Sequence, residues 1–245
     1  METIDLISLS QGALAIMNPT TPEKVLSAGR AAGLCESARV VEIGCGNGTI
    51  LALWGREYGI SGTGIEARPD ACRRAEQAFR EAGIGDRIVV RCMDAREYVP
   101  ERPFDCAASI GASHIYGGFL ATLDALAGVV TDEGTIVIGD RYWRSDRVPP
   151  DFAREWPDVL TGYEILGTAR DAGFDVAATI RSSESDWDRY ESGIWQALLS
   201  WLGENPDHPD REFIIDYLHR IQDEYFGYGR EYMDWAIFVL VPGHW

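Results

Sequence analysis

Between residues 39 and 140, short branched apolar runs alternate with stretches of helical periodicity. The run at 39–43 is apolar and β-branched and ends in glycines. Ile50, Leu51, Leu53, Trp54 and Tyr58 then recur at steps of three and four, which predicts a strand, a turn and a helix. Residues 63–66 predict a second strand. A helix opening at Pro69 and Asp70 follows, with Ala71, Ala75, Ala78, Phe79 and Ala82 on one face. Strands are predicted at 87–91, 104–110 and 134–139. The last two are separated by a helix over 119–130 that buries Leu120, Leu123, Leu126 and Ala127. Repeated strand–helix units imply a parallel sheet covered on both faces.

The flanks follow other patterns. Thr20, Thr21, Pro22 and Glu23 form a helix start, and Val25, Leu26 and Leu34 give that segment an apolar face expected to cover the carboxyl edge of the sheet. Pro149, Pro150 and Pro157 break up 141–160, which is read as a loop over the site. A helix over 162–172 and a strand over 174–180 continue the sheet. In 184–235 the texture changes, with 13 acidic residues against 4 basic ones and 11 of the 26 aromatics. Trp187, Tyr190, Ile194, Leu198 and Trp201 form one helical stripe and Phe213, Tyr217, Ile221 and Tyr225 another, split by Asn205 and Pro206. A last strand is predicted at 235–241. The expected organisation is a single domain over 1–245: an N-terminal lid (1–36), a core (37–183), a helical cap insertion (184–234) and a final strand (235–245).

Charge narrows the possible partners. Lys and Arg total 22 against 39 Asp and Glu, a net charge of −17, which a nucleic-acid backbone would repel. The apolar runs fall short of the roughly 18–20 residues of a membrane span. Glu2 and Asp5 sit where a secretory signal would be basic, so a cytoplasmic protein is expected. Five cysteines without a C-x-x-C pair, and four scattered histidines (His114, His208, His219 and His244), point to reduced thiols and no structural metal.

The stretch 40–48 carries the most chemistry. Glycines directly after a buried strand let backbone N–H groups and a helix amino end approach a ligand. Gly44, Gly46 and Gly48 are spaced G-x-G-x-G, with Thr49 where a dinucleotide fingerprint requires its third glycine. Glu42 places a carboxylate beside this loop, which suits an ammonium group and repels a pyrophosphate. Glu66, at the end of the second strand, can accept from both hydroxyls of a ribose, and Asp94, after the third strand, from an adenine amino group.

Through these residues the chain resembles the class I S-adenosylmethionine (SAM)-dependent methyltransferases, over roughly 39–180 and again at 235–241. The resemblance implies an α/β Rossmann-like sheet of seven strands with a reversed last strand and an α-helical insertion before it. It also implies a SAM site with Glu42 and the loop Gly44, Cys45 and Gly46 at the methionine part, Glu66 and Ala67 at the ribose, Asp94 and Ala95 at the adenine, and Ile110 and Gly111 beneath the cofactor. Asn18, with Met17 and Pro19, and the helical insertion are similar to a bacterial group of small-molecule methyltransferases.

The Pro-Pro-Tyr motif of nucleic-acid amino-methylating enzymes is absent after the fourth strand, where Ser113, His114 and Tyr116 stand instead. A sulfonium already carries an activated methyl, so a protein base is optional. His114 is the candidate for that role, with a pocket-wall or purely structural role as its alternatives. Ser113, Tyr116, Arg141, Tyr142 and Trp143 are the expected acceptor contacts. Two acceptor chemistries stay open: an anion docking on the arginines of 141–154, or a cation caged by the insertion's aromatics and acids. The expected activity is methyl transfer to a small molecule. Its rivals are a nicotinamide-dependent oxidoreductase and a SAM-binding protein without transfer activity.

Overall fold

The computed structural model describes residues 5–243; His244 lies outside them. Seven strands form one sheet: β1 (Arg39–Ile43), β2 (Ser61–Glu66), β3 (Ile88–Cys92), β4 (Phe104–Ile110), β5 (Val130–Trp143), β6 (Phe174–Arg181) and β7 (Met233–Pro242), in the order β3-β2-β1-β4-β5-β7-β6. β7 runs antiparallel to both β5 and β6, while the pairs among β1 to β5 are parallel.

Side-chain alternation builds two cores. Val40, Cys106, Ala108, Val137 and Ile237 face α2 (Pro22–Ala31) and α3 (Thr49–Tyr58). Val41, Ile43, Ala107, Ile138 and Phe238 face α5 (Phe119–Ala127) and α7 (Gly162–Asp171). α4 (Pro69–Glu81) adds Ala75 and Phe79 to the first face. Trp54 of α3 is wholly buried, and its indole N–H donates to the Val25 carbonyl at 2.8 Å, locking α3 to α2.

A third, smaller core lies in the insertion. Ile194, Leu198 and Leu202 of α8 (Glu184–Glu204) pack on Ile214 and Leu218 of α9 (Arg211–Glu224), with Leu6 and Leu9 of α1 (Leu6–Gln11) against them. Thus α1 packs with the inserted helices. α2, expected over the carboxyl edge, instead lies on a sheet face because Val25 and Ala28 find their apolar partners there.

β5 continues to Trp143, beyond the expected end at 139, because β7 pairs with it as far as Trp143↔Met233. Within 141–160, read as a loop, a short helix α6 (Pro150–Glu155) forms with its prolines confined to the amino end, where no N–H is missed. α9 runs into a π-helical turn, Tyr225–Gly229, before β7.

Candidate active site

A cavity of about 900 Å³ opens at the carboxyl ends of the parallel strands and extends beneath α8 and α9. Glycine backbone shapes one end. Gly44 (φ 68°) and Gly46 (φ 54°) are left-handed, and a Cβ on either would lie 2.4 Å from Ala112 Cβ or 2.3 Å from Met17 Cε. The Gly46 N–H donates to Glu66 Oε2 at 3.0 Å, while Glu66 Oε1 accepts from the Arg68 backbone (2.9 Å) and side chain (3.0 Å). Cys45 is buried in the loop, and burial pushes its thiol upward.

Glu42 lines this end and is 1% exposed, and among the described residues its Oε2 has no hydrogen-bond partner. Burial, with the Glu66 charge adding to it, raises its carboxyl well above the ordinary range. An acceptor so placed, among the glycine loop and two further strand-end carboxylates, fits a ligand that brings a cation and hydroxyl donors. Asp94 and Ala95 line the same wall, with Ala67 between them and the loop. Asp94 is held at about 2 by the Arg96 side chain and backbone.

Residues 14–18 cross over the strand ends. Asn47 Nδ2 donates to the carbonyls of Leu14 (3.1 Å) and Ala15 (3.2 Å), and Asn18 Nδ2 donates to the Ile110 carbonyl (2.8 Å). Asn18, Ile110 and Gly111 therefore close one side of the cavity. Met17 and Asn47 both fall within sequence motifs, but their part in closing the strand ends over the glycine loop comes only from the tertiary contacts.

At the other end, Ser113, His114 and Arg141 line the cavity. The structure does not bring Tyr116, Tyr142 or Trp143 to its wall. Tyr116 turns beneath, its hydroxyl donating to the Ala95 carbonyl at 3.3 Å. Tyr142, one residue past Arg141 in an extended strand, points to the opposite face and packs edge-on against Phe238. Trp143 shares Arg141's face but is buried between Phe152 and Met233, under α6.

Other side chains take their places. Asp140 lines the cavity with Ser113 and His114, and burial raises its carboxyl although the Ser113 side chain and the Arg141 N–H act to lower it. Glu191 and Glu224 face in from α8 and α9. Burial and the Glu224 charge push Glu191 up to about 7, and burial raises Glu224 as well. The sequence did hold a signal for these two. Glu191 falls four residues after Trp187, and Glu224 three after Ile221, so each puts a carboxylate on an otherwise apolar helix stripe.

A methyltransferase domain family matches residues 40–134. A SAM-dependent methyltransferase from Geobacter sulfurreducens, solved in complex with S-adenosyl-L-homocysteine, superposes with a TM-score of 0.90 at 34% identity, over 98% of this chain and 99% of that one. A SAM-dependent methyltransferase from Thiobacillus denitrificans, in complex with the same molecule, gives 0.90 at 32% over 99% and 100%. The uncharacterized protein YjhP of Escherichia coli K12 is 31% identical over 98% of this chain and 99% of its own, and its X-ray structure also superposes with a TM-score of 0.90. The chain belongs to the SAM-dependent methyltransferases, with SAM as its cofactor. Among the described residues, no helix is long and apolar enough to cross a membrane.

Proposed function

We propose that the protein transfers the methyl group of SAM to a small-molecule acceptor held between the carboxyl ends of β4 and β5 and the cap formed by α8 and α9. One observation carries this reading. A single cavity joins the Glu42 and glycine-loop end to a second end walled by the insertion, so a bound cofactor and a second molecule would share one space.

Bound SAM supplies a methyl group already activated on a sulfonium. In this reading Glu42 and the loop of Gly44, Cys45 and Gly46 hold its amino-acid part, Glu66 and Ala67 the ribose, and Asp94 and Ala95 the adenine, with Asn18 and Ile110 closing the site. Ser113, His114 and Arg141 meet the acceptor, joined by Asp140, Glu191 and Glu224. The protein's contribution is to align the acceptor and keep water out, and the insertion roofs the space in which it does so. His114 is exposed at the wall, in position to accept a proton from an acceptor that must lose one.

Titration calorimetry with S-adenosylhomocysteine tests the cofactor end. Glu66→Ala strips two backbone N–H groups of their acceptor and should weaken binding by roughly 1–3 kcal/mol. Asp94→Ala should cost less, because Asp94 is more exposed and already committed to Arg96. Unchanged affinity in both variants would place the cofactor elsewhere. Release of S-adenosylhomocysteine from SAM across a metabolite collection then tests transfer to a small molecule.

A further inference from the structure

The acceptor half of the cavity holds more carboxyl groups than cations. Asp140, Glu191 and Glu224 face it from β5, α8 and α9, and Glu155 and Asp158 stand exposed at its mouth. Arg141 and Arg220 are the cations on this wall. The other arginines of 141–154 are not part of it. Arg144 turns away to the Met233 carbonyl at 3.0 Å and to Asp234, Arg154 pairs with Asp151 on the surface, and Arg147 sits in an exposed loop. An anionic acceptor would therefore meet one guanidinium from that segment against three inward carboxyl groups.

Both wall cations are already engaged with rings. Arg141 lies over Trp156 with its guanidinium carbon 4.1 Å from the ring centroid, and Arg220 over Tyr217 at 5.2 Å. Arg141 is drawn toward Glu191 and Glu224, yet among the described residues no side chain donates a hydrogen bond to Glu191. Burial leaves that carboxyl group short of water as well as of donors. Tyr190 and Tyr217 line the same wall, and ring faces attract a cation most strongly where water is excluded. The placement of Arg141 on Trp156 is itself an instance of what this wall accommodates.

We propose that the acceptor is recognised through an amine in its protonated form, seated between the Glu191 and Glu224 carboxyl groups and against the rings of Tyr190 and Tyr217. This rests on the reading that the acceptor occupies the cap end of the cavity. An ammonium supplies both the missing charge and the missing donors, an alcohol supplies donors alone, and a carboxylate adds to the repulsion.

The test uses the full chain saturated with S-adenosylhomocysteine and three matched probes: 2-phenylethylamine, 2-phenylethanol and phenylacetate. Calorimetry should show the amine binding about tenfold or more tightly than the alcohol, with the carboxylate weakest. In the double variant Glu191→Gln/Glu224→Gln the preference should shrink to within about threefold, as an amide is neutral at the same volume. S-adenosylhomocysteine affinity, measured in parallel, reports that the variant is folded. Equal or tighter binding of phenylacetate, survival of the amine preference in the double variant, or no binding of the amine at millimolar concentration each overturns the proposal. Failure of S-adenosylhomocysteine to bind the wild-type chain would instead overturn the reading beneath it.

Discussion

At the scale of single residues, burying Glu42 sets a stability cost against a binding site. Its folded-state carboxyl is raised above the unfolded value near 4.5, because burial disfavours the charged form. A group raised in this way contributes its full stability below that value and loses it as pH rises through the folded-state pKa. Glu42→Gln removes the loss. The ligand-free variant should be more stable than wild type at pH 8, by about 1–3 kcal/mol, and the margin should close toward pH 4. Thermal unfolding across that range measures it, and a variant that is less stable at every pH would show that the carboxylate is satisfied in the native state. The same variant should bind S-adenosylhomocysteine more weakly, since the amide cannot supply a negative charge.

Among the elements, the join between the N-terminal segment and the cap depends on Asp186. Its carboxylate closes the capping box that starts α8 and also pairs with Lys24 of α2 and with Arg189. Nearby, the Ser182 hydroxyl donates to the Pro19 carbonyl and Arg189 to that of Thr20. Burial opposes ionisation of Asp186, but the Lys24 ammonium, the Ser183 N–H and hydroxyl, and Arg189 together hold its carboxyl well below 3.8. A depressed carboxyl contributes stability above its unfolded value and loses it as pH falls through the folded one. Asp186→Ala should cost about 1–3 kcal/mol at pH 7, less than a fully buried pair because Lys24 and Arg189 stay partly in water. The gap to wild type should close as pH drops below 3.8. A gap that persists in acid would point to lost packing rather than lost charge.

For the whole molecule, cofactor binding and folding are one equilibrium. S-adenosylhomocysteine at a hundred times its Kd should add about 2.7 kcal/mol to stability. Among the described residues, no group of three His, Cys, Asp or Glu side chains gathers in a way that could hold a metal ion. That stabilisation, and methyl transfer once an acceptor is known, should therefore survive EDTA. Loss of either on chelation, with recovery on adding Mg²⁺, would reveal a metal requirement that the side-chain arrangement does not explain.

The local pattern was enough to determine the strand–turn–helix order, the glycine loop and the carboxylates at three successive strand ends. Alternation, helical periodicity and turn chemistry act over a few residues and are written in neighbouring positions. It was enough also for the separate character of 184–235, because composition marks an inserted element. What it could not decide was which side chains from distant elements meet. Tyr142 and Trp143 follow Arg141 directly, yet strand alternation turns the first to the other face and α6 covers the second. Asp140 became a wall residue because β7 pairing carries β5 beyond Gly139. Glu191 and Glu224 face one cavity because α8 and α9 fold back over the sheet ends, with α1 joined to their core. A strand's length depends on its partner, and a helix face's role on what packs against it. Both are long-range contacts, and only the tertiary structure settles them.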